Sequence, residues 1–251
     1  MPTNKKDKEW YKQMTKEIAG EKNLIPGIHN YCDRWCERCA FTARCAVSRM
    51  EQEMNTNLGE SDLNNKKFWE QLAMVYQATF ELIEEGARRH GIDLTDIGDQ
   101  IQFERQPPEE TEILANSYGK TFHNWLTENQ EYLSSQAKTA AIIGEKKLLS
   151  LTEAIEVLQW YCFLIGAKTH RAFFKFEFDD EIDLQDNDGS AKIAIIAIDR
   201  SLQAFSVLYH QLPEKEDDLI GFMVNLSKIK DQLINKFPKA MNFKRPGFDE
   251  L

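Results

Sequence analysis

Four of the five cysteines stand within fourteen residues near the start of the chain, and this array constrains the local fold more than any other feature. Cys32, Cys36, Cys39 and Cys45 have the spacing C-x3-C-x2-C-x5-C. The first three are spaced i, i+4 and i+7, so on a helix their thiols would share one face. Cys45 would lie far around that helix. The chain is therefore predicted to turn after Cys39 and to gather four sulfurs in a compact cup.

A thiol cluster of this kind is typical of a metal site in a reducing compartment, where disulfides are rare. Thiolate sulfur suits both a 4Fe-4S cluster and a zinc ion, and both accept four cysteines. Structural zinc sites draw on two separated C-x2-C pairs, whereas here one pair has a cysteine close on each side. The spacing favours a 4Fe-4S cluster, with zinc as the alternative and a segment without metal as the third interpretation. The predicted ligands are Cys32, Cys36, Cys39 and Cys45.

The same cysteines carry a local resemblance to known cluster segments. Cys36-x2-Cys39-x5-Cys45 with an earlier cysteine resembles the 4Fe-4S loop of the endonuclease III and adenine glycosylase family, and its C-x2-C-x5-C part resembles the cluster segment of CRISPR-associated RecB-like nucleases. The resemblance implies that Cys36, Cys39 and Cys45 are cluster ligands and that Cys32 is the first ligand, after a shorter spacer than in the glycosylases. It covers fourteen of 251 residues. The glycine-rich hairpin of the glycosylases is missing, so DNA repair is not implied.

Other interpretations of the cysteines and of the nearby histidine are weaker. Cys32-x3-Cys36-x2-Cys39 matches the radical S-adenosylmethionine signature, but a fourth ligand at Cys45 would close the iron that this chemistry needs open. Cys162 stands among apolar residues and is predicted to be a core residue. His29 is predicted to be a loop residue, with a ligand role only if one cysteine does not bind.

The charge of the chain limits its partners. A formal net charge of -10 and a pI near 5.1 disfavour a nucleic-acid partner, because phosphate contacts need a positive surface. A protein partner is expected instead. Arginines near the array would offset the charge of four metal-bound thiolates. We expect no secretory signal, no membrane span and a cytoplasmic location, because the first residues lack an apolar stretch and no uninterrupted apolar run approaches about 18 residues.

Apolar residues recur at helical spacing along most of the chain and predict an all-α fold. The predicted architecture is an antiparallel bundle of four or five long helices with the cysteine-rich segment at its N-terminal side. Residues 1–60 would hold the first helix and the cysteine segment, and residues 61–251 the bundle. Helices are predicted over about 3–22, 64–89, 108–136, from Ser150 or Thr152 onward, from Asp188 or Ser190 to 211, and 216–237. In 64–89 the predicted amphipathic stripe includes Phe68, Leu72, Val75, Tyr76, Phe80 and Ile83.

A short extended segment is predicted at Phe174, Phe176 and Phe178, where aromatic residues alternate with polar ones. The acidic residues that follow do not fit the spacing of a calcium-binding EF-hand loop. No histidine has a glutamate three residues before it, so a di-iron carboxylate bundle is disfavoured.

Three classes of function remain open from the sequence. The first is an iron-sulfur protein whose cluster serves electron transfer, sensing or structural bracing. The second is a zinc-braced helical interaction module without redox activity. The third is an enzyme with an active site in the bundle core, around Asp199, His170 or Glu156.

Overall fold

The chain folds into helices, as predicted. The structure is a computed structural model that describes residues 5–58, 66–94, 107–174 and 181–249. Within these ranges the regular elements are α-helices and short 3-10 turns, and no strand occurs. The helices are α1 Lys5–Ala19, α2 Ala46–Leu58, α3 Lys66–His90, α4 Glu110–Glu128, α5 Gln130–Ile143, α6 Glu145–Phe173, α7 Glu181–Gln211 and α8 Glu216–Lys236.

Two compact units share the chain. The first consists of Met1–His29 and Cys36–Gln106, and the second of Asn30–Trp35 and Pro107–Leu251. The sequence-based division between residues 60 and 61 does not coincide with these units, because α3 packs against α1. Cys32 belongs to the second unit, and Cys36, Cys39 and Cys45 belong to the first.

The first unit is held by a small apolar core and by a row of ion pairs between α1 and α3. The core contains Tyr11, Met14 and Ile18 from α1 and Met74 and Ala78 from α3. Beside it, lysines one helical turn apart on α1 meet two glutamates of α3: Lys8 with Glu81 at 2.5 Å, Lys12 with Glu85 at 2.6 Å and Lys16 with Glu85 at 2.8 Å.

The second unit has the main hydrophobic core, in which α6 and α7 are central. Helix α6 packs against α4, α5 and α7, and α7 also packs against α8. Large side chains from these helices are fully or almost fully buried, including Phe122, Leu158, Tyr161, Ile165, Ile198, Phe205 and Leu226. The predicted core role of Cys162 is confirmed, since it is 2% exposed.

Several predicted helix boundaries are wrong, because local hydrogen bonds set the ends. The helix predicted over 108–136 is two helices that meet at Asn129, where the side-chain Nδ2 donates to the carbonyl of Trp125. Ser150 does not begin a helix, since its hydroxyl donates to Lys147 O inside α6. Asp188 lies inside α7. The extended segment predicted at Phe174, Phe176 and Phe178 falls largely on 175–180, outside the described residues.

Helix α6 is long and apolar enough to cross a membrane by length and composition alone. The central helix of a soluble bundle passes the same test, and α6 contributes residues such as Leu158 and Ile165, both 0% exposed, to the core of the second unit. The expected absence of a membrane span and the cytoplasmic location therefore stay predictions.

Candidate metal centre

The cysteine segment does not form the helix that its spacing predicted. Between Ile28 and Cys45 the backbone makes three separate 3-10 turns: Ile28–Asn30, Cys36–Arg38 and Thr42–Arg44. Arg34 has a φ of 61°, in the left-handed region, which a right-handed helix excludes. The backbone N–H of Trp35 donates to Asp33 Oδ1 at 3.2 Å, so a local side-chain contact stands where a helical bond would be. The prediction that the first three thiols share one helical face is wrong.

Asp33, the residue after the first cysteine, is bound by α6 and α7. Its Oδ2 accepts a hydrogen bond from the Tyr161 hydroxyl at 2.8 Å. The same oxygen forms an ion pair with Arg200 Nη1 at 2.5 Å. Its backbone carbonyl accepts a hydrogen bond from Trp160 Nε1 at 2.9 Å. Burial, with the nearby Asp33 carboxylate, raises the pKa of Tyr161 to about 12, so the hydroxyl keeps its proton and remains a donor at neutral pH. Both the carboxylate and the backbone of Asp33 are therefore fixed.

Trp35 adds an apolar anchor one residue before the second cysteine. Its side chain is 7% exposed and stacks on Trp160, with ring centroids 5.1 Å apart and an interplanar angle of 15°. The edge of the Tyr161 ring completes the contact at 5.9 Å. Aromatic contacts of this geometry stabilise by more than the area they bury. Trp35 and Asp33 together hold 33–35 against α6.

Residues just before Cys32 are held in the same way. Lys168 is 7% exposed and its Nζ donates to the carbonyl of Asn30 at 2.9 Å. The hydroxyl of Tyr31 donates to Asp186 Oδ1 at 2.9 Å, and Arg171 donates to both oxygens of the same carboxylate at 3.0 and 2.9 Å. The stretch Asn30–Trp35 is therefore an integral part of the second unit, through polar contacts on both sides of Cys32.

The later cysteines lie in a different local environment, within the first unit. The backbone N–H of Cys39 donates to Cys36 O at 3.1 Å and closes the turn between these two residues. The N–H of Phe41 donates to Cys39 Sγ at 3.4 Å. The N–H of Ile25 donates to Arg44 O at 2.9 Å, which ties the residue before Cys45 to the preceding loop. No residue from 36 to 45 is buried.

The chemistry of the thiols fits a metal site, although their arrangement in the described residues does not form one. None of the five cysteines forms a disulfide, and the four of the array are partly buried. Burial raises the pKa of the Cys32 thiol, and the positive charges of Arg34 and Lys168 offset part of this effect. A bound metal ion would favour the thiolate further. Within the described ranges, no three Cys, His, Asp or Glu side chains form a group placed to hold a metal ion. The donor set and the N–H to sulfur contact suit a bound cluster, since such contacts stabilise thiolate charge.

The residues proposed for a bundle active site have separate partners. His170 Nδ1 lies 2.7 Å from Glu112 Oε1, and Asp199 forms an ion pair with Lys230 at 2.5 Å. Glu156 is exposed on α6. An open groove of about 640 Å³ lies along α8, and its lining includes Ile220, Met223, Val224, Lys228 and Asp231 but none of His170, Asp199 and Glu156. The enzyme hypothesis gains no support from these positions.

Sequence reasoning missed the residues that hold the cysteine segment. Neither the cysteine spacing nor the apolar periodicity singles out Trp160, Tyr161, Lys168 or Arg200 as partners of that segment. One signal in the sequence could have pointed to them. The apolar central helix carries side chains with polar end groups, namely a tyrosine hydroxyl, an indole N–H and a lysine amine, and buried polar atoms need hydrogen-bond partners. That signal shows that partners exist but does not identify them.

Comparison of the chain with protein-family models, with curated proteins and with solved structures gives no match.

Proposed function

We propose that the segment Cys32–Cys45 binds a 4Fe-4S cluster and that the cluster braces this segment. The supporting observation is that four thiols stand in a stretch that has little other means of staying folded. From 36 to 45 there are only two 3-10 turns and no buried residue. Short segments without a hydrophobic core commonly depend on metal ligation for a defined structure.

Cys32, Cys36, Cys39 and Cys45 would be the ligands of the cluster. When bound, the cluster supplies iron-thiolate bonds and a site for one-electron chemistry. The chain's own contribution is to fix the backbone around Cys32 through Asp33 and to donate the Phe41 N–H to Cys39 Sγ. Because metal sites commonly form together with their local fold, the four thiols are expected to gather when the cluster binds. Electron transfer and sensing are further roles that the same cluster would permit.

A zinc site is the second candidate. One observation favours it: Cys36 and Cys39 flank a single hydrogen-bonded turn, which is the arrangement of C-x2-C pairs in zinc sites. In that case the segment would be a redox-inactive interaction module, as zinc has no redox chemistry of its own.

Anaerobic purification of the full chain, followed by quantification of iron, acid-labile sulfide and zinc and by a visible absorption spectrum, distinguishes the two. We expect iron and sulfide in equal amounts with broad visible absorption. Stoichiometric zinc without iron would overturn the cluster and support the zinc module. Protein that holds neither after reconstitution under reducing conditions would overturn both.

Single substitutions test the ligands. Cys39→Ser should lower the metal content and expose 36–45 to proteolysis. Cys162→Ala is the matched control, since this cysteine lies in the core of the second unit, and it should retain full metal content. Equal metal content in the two variants would remove Cys39 from the ligand set.

A further inference from the structure

Helix α3 exposes a stripe of large apolar side chains. Trp69, Tyr76, Phe80 and Ile83 are 56%, 60%, 64% and 51% exposed. With exposed Ala73 they follow the spacing 4-3-4-3, which places all five along one line on a helix. This is the spacing of the a and d positions in a two-helix coiled coil.

The apolar contact of α3 inside the first unit uses other positions. Met74 and Ala78 are 3% and 0% exposed, and they pack in the core with residues of α1 that include Tyr11, Met14 and Ile18. Neither belongs to the exposed stripe. Helix α3 therefore has one apolar face that is used within the unit and a second on which large apolar side chains are more than half exposed.

Gly86 lies three residues after Ile83, beside the exposed stripe. A Cβ atom added there would meet nothing within 4 Å, and no positive φ occurs at this residue. A glycine inside a helix costs about 1 kcal/mol relative to alanine. Neither internal packing nor backbone conformation accounts for Gly86, whereas close approach of a second helix would.

We propose that α3 pairs with α3 of a second copy of this chain in antiparallel orientation. In an antiparallel seam each a position faces a d position. Tyr76 then lies opposite Phe80 of the second copy, and Ala73 lies opposite Ile83. Trp69 lies beside the small residue Gly86, since Ala87 itself is only 9% exposed. Large side chains thus meet small ones at both ends, with aromatic pairs at the centre.

Parallel pairing would fit less well. Identical positions would then face each other, so Trp69 would meet Trp69 and Ala73 would meet Ala73 of the second copy. Crowded and empty layers would alternate, and both overpacking and cavities destabilise an interface. Size complementarity therefore selects the antiparallel arrangement.

The available area is at the lower limit of what a specific dimer needs. Large apolar and aromatic side chains bury about 150–250 Å² each, and about half of four such side chains is exposed on α3, which gives about 500 Å² per copy. Two copies together bury about 1,000 Å², close to the lower limit of specific interfaces. The proposal is independent of the metal site.

Sedimentation equilibrium of the full chain over a range of concentrations tests the pairing. We expect a reversible dimer, and Phe80→Ser should raise its Kd at least about tenfold, since removal of one aromatic anchor from each copy costs more than about 1.4 kcal/mol. Ile142→Ser is the matched control, because Ile142 is 88% exposed on α5, and it should leave the Kd unchanged. A chain that stays monomeric at about 100 μM, far above a micromolar Kd, overturns the proposal, as does an unchanged Kd in Phe80→Ser.

Gly86→Leu separates pairing from folding. The substitution places a good helix former in open space, so the melting temperature of the monomer should not fall. The Kd of the dimer should rise, because the new side chain blocks the approach of Trp69 of the second copy. An unchanged Kd in this variant would overturn the antiparallel arrangement.

Crosslinking reports the orientation directly. An equimolar mixture of Ala73→Cys and Ile83→Cys chains is treated with a short thiol crosslinker, and mass spectrometry of the linked peptides separates these products from links to the native cysteines. Links between positions 73 and 83 support the antiparallel pair. Links of 73 to 73 and 83 to 83 without 73 to 83 overturn it.

Discussion

Asp33 and Arg200 are 167 positions apart in the chain, and their side chains form an ion pair at 2.5 Å. The Arg200 guanidinium also contacts the Tyr161 hydroxyl, which itself donates to Asp33. Three groups from distant parts of the sequence thus form one network beside the first cysteine. Cys32 is placed by contacts that lie outside its own segment.

Asp33→Asn should lower the stability of the second unit. The amide oxygen can still accept from Tyr161, but the charge that pairs with Arg200 is lost. Because Arg200 is about half exposed, we expect a cost of about 1 kcal/mol in the free energy of unfolding. A double-mutant cycle with Arg200→Met, measured by urea unfolding, checks the coupling. Strictly additive effects would show that the ion pair contributes nothing.

Substitution of two helical glycines by alanine should change the stability of the protein in opposite directions. A Cβ atom at Gly189 would lie 2.6 Å from Cδ1 of Tyr31 and 3.0 Å from Cε1 of Phe243. Gly189→Ala should therefore destabilise by about 1–3 kcal/mol, because the rings are packed and must shift. In the monomer, at concentrations below the Kd of the proposed dimer, Gly86→Ala meets open space and should stabilise by about 0.5–1 kcal/mol. Thermal unfolding of both variants checks these two predictions. Melting temperatures that shift in the same direction in both variants would contradict the packing at Gly189.

The first unit should lose stability in acid through Glu85. Hydrogen bonds from Lys12 and Lys16 lower the pKa of Glu85 from 4.5 to about 2. A lowered pKa in the folded state gives stability that is fully present above pH 4.5 and is lost as the pH falls toward about 2. Glu85→Gln lacks this contribution. The difference in melting temperature between the wild type and this variant should shrink over that range, and a constant difference would contradict the prediction.

The packing of the residues near the C-terminal end should depend on the nearly buried amine of Lys192. Lys192 is 7% exposed, and its Nζ donates to Asp249 Oδ2 at 2.7 Å and to Phe243 O at 2.6 Å. Hydrogen bonds from Arg245 and Lys192 hold the pKa of Asp249 below its usual range. Asp249→Asn leaves both cations without their carboxylate and should destabilise by about 1–3 kcal/mol.

Amide hydrogen exchange over 240–249 checks this prediction, since the variant should lose protection there first. Lys228→Met is the control, because the pair of Lys228 with Glu110 is exposed on both sides and should contribute less than about 0.5 kcal/mol. Equal effects of the two variants would mean that the buried amine does not anchor the chain end.

The sequence predicted helices better than it predicted which face of a helix is buried. For α8 the sequence shows seven apolar residues at helical spacing; Leu219, Phe222, Leu226, Ile229 and Leu233 are in the core, whereas Met223 is partly buried and Ile234 is 40% exposed. For α3 the predicted amphipathic stripe includes Tyr76, Phe80 and Ile83, which are exposed, whereas Met74 and Ala78 pack in the core. Periodicity locates an apolar stripe on a helix. It does not tell which of two stripes meets the rest of the chain.

The amino-acid sequence by itself determined the helical class and the set of four thiols, because both follow from residue types at short, regular separations. Only the tertiary structure decided the backbone of 28–45. There the i, i+4, i+7 spacing favours a helix, but Asp33 and Trp35 are bound by Tyr161, Arg200 and Trp160 instead. These contacts join positions more than a hundred residues apart. Their free energy outweighs a local preference of a few tenths of a kcal/mol per residue, and no short-range pattern encodes them.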